Sequence, residues 1–166
     1  MEFTFSNQDT RDTTLSLSTG QAVYQTSTPD TKFLRTETIS IKKFEKDGEH
    51  DMATVEIHSF HDDVCRVWGR DVVPKRDGLF TTAKTFTACD GHKYTWKTKL
   101  SGRLELKNES ENVIAVFERS PTQMKLSIEE AGSSIADEIV ATFVLEDQWT
   151  RVANSGSKVA PVIVTV

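Results

Sequence analysis

Apolar and polar residues alternate in short runs along most of this chain. Residues 36–42 place Ile39 and Ile41 on one face and Thr38, Ser40 and Lys42 on the other, the two-residue period of a half-buried strand. Asp47-Gly48 tolerates the positive φ angles of a tight hairpin and leads into a partner strand, 52–60, with Ala53, Val55 and Ile57 facing inward. A second hairpin is predicted in FTACDGHKYTWK, where Asp90-Gly91 joins 85–88 to 93–98. Further strands are expected at 3–5, 22–26, 64–68, 103–107, 113–118 and 124–128, the last burying Met124, Leu126 and Ile128. The polar stretch after Phe5 is too rich in Thr, Ser and Asp to make a core, and 71–82 reads as an irregular loop around Pro74. Many short strands separated by turn residues predict a sandwich or a barrel.

Only Ser133 to Arg151 breaks this pattern. Ile135, Ile139, Val140, Phe143, Val144, Leu145 and Trp149 surround a helical axis almost completely, and a helix apolar on every side is buried on every side. Residues 139–145 (IVATFVL) also suit a strand covered on both faces. The flanks favour a helix over about 134–151: Ser134 as N-cap, Asp137 and Glu138 in the first turn, and Arg151 at the C-terminal end. A mainly β, antiparallel, closed or nearly closed barrel wrapped around one hydrophobic C-terminal helix is the expected fold. Residues 1–151 form one domain on this reading, and 152–166 a tail in which Asn154 to Ser157 is a flexible joint and VAPVIVTV an edge strand.

The length of 166 residues suits one domain with a substantial core, and the 37% hydrophobic and 27% charged content suits a folded chain. A net charge of -5 and a pI near 5.4 disfavour a general grip on nucleic acid. No signal peptide or membrane-spanning run is read, and two cysteines without CxxC spacing suggest reduced thiols, so a cytoplasmic protein is expected.

The segments FTFSNQDTRDTTL, VYQTSTP, TETISIKK, ATVEIHSF, FTACDGHKYTWK and ADEIVATFVLED occur in an order that resembles a fungal family of unknown function. That family is similar in plan to the tubby C-terminal and LURP-one-related fold. The resemblance implies a closed antiparallel barrel around a hydrophobic C-terminal helix, and it extends to about Arg151. It implies no activity; tubby-like relatives do include phosphoinositide binders.

Candidate chemistry is sparse. HSFHDD gathers His58, His61, Asp62 and Asp63, but His at i and i+3 point to opposite faces of a strand unless the chain bends at Phe60, so no metal site is assigned. Cys89, Asp90 and His92 could in principle activate a thiol, yet the Asp-Gly turn explains the same residues without catalysis, and no catalytic residue or cofactor is assigned. From 93 to 107 the outward positions carry Lys93, Lys97, Lys99, Arg103 and Lys107 around Glu105, while Tyr94, Trp96, Leu100, Leu104 and Leu106 are expected on the inner face. This basic face is the candidate site for anionic lipid headgroups or a protein partner, against the plainer account of a solvated outer surface. The sequence therefore predicts a non-enzymatic binding or scaffold domain, cytoplasmic and peripheral to membranes, with a carrier of a small hydrophobic ligand in the barrel cavity as the alternative.

Overall fold

A computed structural model describes residues 1–29 and 36–156. It contains thirteen strands in one antiparallel sheet, followed by a 3-10 turn, Glu130–Ile135, and one α-helix, α1, Ala136–Gly156. The first six strands are β1 (Glu2–Phe5), β2 (Thr13–Leu17), β3 (Ala22–Ser27), β4 (Thr36–Glu45), β5 (Gly48–His58) and β6 (Val64–Val67). Then come β7 (Arg70–Asp71), β8 (Lys75–Arg76), β9 (Lys84–Thr87), β10 (Lys93–Thr98), β11 (Leu104–Asn108), β12 (Val113–Arg119) and β13 (Met124–Ile128).

The spatial order is a meander in two halves, β7 back to β1 and β13 back to β8, sewn together where β1 pairs with β13. Among the described residues the sheet is not closed by a ladder: there β7 pairs only with β6 and β8 only with β9. Yet these two edges are joined by residues 72–74 alone, and Arg70 on β7 donates a hydrogen bond to the Thr87 carbonyl of β9 at 3.4 Å. The mainly antiparallel sheet with a single C-terminal helix matches the sequence expectation, without a continuous closing ladder.

The helix lies inside the curve. Every residue from Ile139 to Gln148 is buried, and Phe143 meets Phe117 at 4.4 Å between ring centroids and Phe5 at 5.7 Å. The rival strand reading of 139–145 is thus overturned: a residue buried on all sides of a helix needs apolar neighbours all round, and the curled sheet supplies them. The lumen expected for a carrier is filled by this helix.

Four sequence expectations require correction. The helix starts at Ala136, after the 3-10 turn, and runs to Gly156, so Asn154, Ser155 and Gly156 are helical and are not a joint. Arg151 consequently lies within the C-terminal part of the helix and does not end it, bonded to Asp147 at 3.0 Å and to the Gln8 carbonyl. The polar stretch after Phe5 contains β2, in which Thr13 and Leu15 are buried; the buried Thr26 hydroxyl accepts from the Thr13 amide at 2.9 Å, so a polar residue can sit in the core. The loop at 71–82 includes β8, and β7 begins just before it. Finally, Leu100 is fully exposed at the tip of the β10–β11 turn rather than on the inner face, because that turn, closed by Gly102 at φ 80°, stands beyond the end of the ladder. The tail strand expected at 159–166 lies outside the described residues.

Strand bulges explain where simple alternation fails. Between Ile41 and Lys42 the register skips Met52, so Met52 and Ala53 are both buried. The same irregularity between Leu106 and Lys107 leaves Ile114 unpaired and turns both Ile114 and Ala115 inward.

Candidate functional site

The helix is locked into the sheet by polar side chains at each end. At its N-terminal end Asp137 accepts from the Tyr24 hydroxyl at 2.7 Å and the Trp68 indole at 2.8 Å, and pairs with Lys43 at 3.0 Å. Burial next to this carboxylate pushes the Tyr24 phenol far above its usual range. Glu138 pairs with Arg70. In the middle, Thr142 accepts from the Trp96 indole at 3.0 Å and returns its own proton to the Glu138 carbonyl at 2.7 Å. At the C-terminal end Asp147 gathers Thr10, Arg119 and Arg151 at 2.7 to 3.0 Å, and Glu146 takes the Lys84 ammonium at 2.6 Å.

Lys84 and Trp149 begin the candidate site. The Lys84 nitrogen lies 4.5 Å from the centroid of the Trp149 ring, whose own N–H is tied to Asp63 at 2.6 Å. Both line an open pocket of about 770 Å³ with Pro74, Arg76, Lys99, Leu100 and Val152. The register puts Arg76 directly opposite Lys84, on the same face of the β8–β9 pair. Arg76 is near enough to Glu146 to oppose the upward push that burial gives that carboxyl, and one oxygen of Glu146 has no hydrogen-bond partner among the described residues. Around the same end of the sheet, Leu79, Phe80 and Leu100 are exposed to 92%, 102% and 109%, and Val152 to 65%.

Lys93, Lys97 and Lys107 share the outer face of the β10–β11 pair, where the expected cations are interleaved with carboxylates. Lys97 and Lys107 both pair with Glu111, at 2.8 and 3.3 Å. Lys99 and Arg103 flank Leu100 in the β10–β11 turn and share Glu105 at 3.2 and 3.5 Å, with Arg103 also 3.3 Å from Glu118. Lys93 starts β10 and is therefore at the opposite end of the sheet. Of the five, Lys99 lines the pocket and Arg103 shares its turn.

The other candidates are also placed by the structure. His58 is occupied by Glu56 at 3.0 Å and Thr36 at 3.1 Å, and Asp63 by the His58 amide and the Trp149 indole. Cys89 is exposed with its thiol 4.0 Å from the Ser134 carbonyl, while the His92 ring faces Glu109 at 3.5 Å, so the two do not form a hydrogen-bonded pair. Cys65 is buried, and desolvation pushes its thiol up to about 12.

Sequence reading passed over Arg76, Lys84, Leu79 and Phe80. The available signal was the DGLFTT run, in which two large apolar residues sit within a loop where no strand period accounts for them.

Residues 8–151 match a model described as a family of unknown function (DUF6593), and the chain belongs to that family. No curated protein and no solved structure matches it.

Proposed function

We propose that this chain is a non-enzymatic binding domain that meets an anionic lipid surface with the end of the sheet where the C-terminal half of α1 emerges. The observation that carries the reading is the set of exposed apolar side chains, Leu79, Phe80, Leu100 and Val152, beside Arg76, Lys99 and Arg103. Magnitudes decide how such a surface would work. Burying each large apolar side chain is worth about 1.5–3 kcal/mol, and each cation at an anionic membrane about 1 kcal/mol. The chain carries a net charge of -5, and Lys99 and Arg103 already face carboxylates. Apolar insertion must therefore supply most of the affinity, with charge orienting the approach.

A tubby-like closed barrel belongs to the same proposal, supported by the enveloped helix and the three-residue span between the edge strands. So does a cytoplasmic, membrane-peripheral placement. The carrier alternative moves from the filled lumen to the end pocket.

Flotation with vesicles of phosphatidylcholine containing phosphatidylserine tests the reading. The triple variant Leu79→Ser, Phe80→Ser, Leu100→Ser is expected to lose most binding, whereas Lys97→Glu with Lys107→Glu retains it. Equal binding by the triple variant, or no binding by the unaltered chain, overturns the proposal.

A further inference from the structure

We propose that the end pocket takes one single-chain amphipathic anion, with its chain against Pro74, Leu100, Trp149 and Val152 and its head between Arg76 and Lys84. This rests on the lipid-surface reading above and names the molecule that the surface would deliver. The volume of about 770 Å³ falls within the roughly 300–1,000 Å³ typical of small-molecule sites. Its lining supplies both parts an amphiphile needs: the apolar side chains Pro74, Leu100, Trp149 and Val152, and the cations Arg76, Lys84 and Lys99. Lys84 is held in place by Glu146 and by the Trp149 ring, which leaves further ammonium donors for a ligand. Arg76 stands beside it in the ladder and has no ion-pair partner among the described residues.

Charge sets the valence of the head. Arg76, Lys84 and Lys99 face Glu146 and Glu105, an excess of one positive charge. That excess suits a monoanion such as a carboxylate better than a polyphosphorylated headgroup. The planar fork of Arg76 matches a carboxylate in two-point geometry, and burial of the aliphatic chain against Trp149 and Leu100 would supply the remaining affinity.

Calorimetry on the full chain, with dodecanoate below its micellar concentration, reads the proposal directly. Binding at one site is expected, with dodecanol and acetate each at least about tenfold weaker. Arg76→Gln, at an exposed position whose loss leaves the core intact, is expected to weaken dodecanoate about tenfold. Trp149→Ala is the second variant and removes the chain wall. Dodecyl phosphate separates the two anionic heads: binding several-fold tighter than dodecanoate overturns the carboxylate assignment. Unchanged affinity in Arg76→Gln, or dodecanol binding as tightly as dodecanoate, overturns the proposal. Vesicle binding without dodecanoate binding sinks this inference and leaves the surface reading standing.

Discussion

Individual side chains show how the core tolerates charge. Glu146 is buried, and desolvation raises its pKa while Lys84 and Arg76 pull it down. Ionisation of a carboxyl with a raised folded pKa costs stability above that pKa, and the cost is relieved as pH falls towards the ordinary carboxyl value. Lys84→Met removes the largest opposing interaction, so its loss of stability is expected to be greater at pH 8 than at pH 5, as chemical denaturation would measure. Asp9 behaves oppositely. Its hydrogen bonds with Arg11 hold it at about 2 against an ordinary 3.8, so it contributes stability above about pH 4 that disappears as pH falls towards 2. Asp9→Asn should flatten the acid limb of the stability profile in that window; an unchanged limb would contradict the assignment. Neither partner was legible in the sequence, since Glu146 and Lys84 are 62 residues apart and meet only through the fold.

At the scale of elements, the all-round apolar pattern of α1 was legible because burial on every side leaves no polar stripe to preserve. Its ends were not. The chain turns through a 3-10 segment in which Gly132 lies so close to Ile114 and Ile128 that an added Cβ would stand 2.7 and 2.9 Å from their methyl groups. Gly132→Ala should therefore destabilise by about 1–3 kcal/mol through overpacking, read from a denaturant midpoint. Phe143→Ala, which empties the contact with Phe5 and Phe117, should cost about 3–5 kcal/mol. If Phe143→Ala proved the milder of the two, the helix would not be the centre of the core. The strands were legible wherever alternation was strict, as at Ile39 and Ile41, and misleading at Met52 and Ile114, where a bulge turns two neighbours the same way.

The whole molecule has two unlike ends. The one near Ala136 is closed by Asp137 with Tyr24, Lys43 and Trp68; the other carries the pocket and the exposed Leu79, Phe80 and Leu100. Sequence pattern located cations on β10 and β11 but could not show that Glu111 neutralises Lys97 and Lys107, since that depends on the folded path of the β11–β12 turn. Nor could it reveal that β8, β9 and the end of α1 converge. The central claim is that this end, and not the strand face, meets lipid. An environment-sensitive fluorophore placed at Leu100→Cys, and separately at Lys93→Cys, in a Cys89→Ser background tests it most directly. On anionic vesicles the label at position 100 should shift to the blue and the label at 93 should not. A shift at 93 alone, or at neither position, would contradict the account.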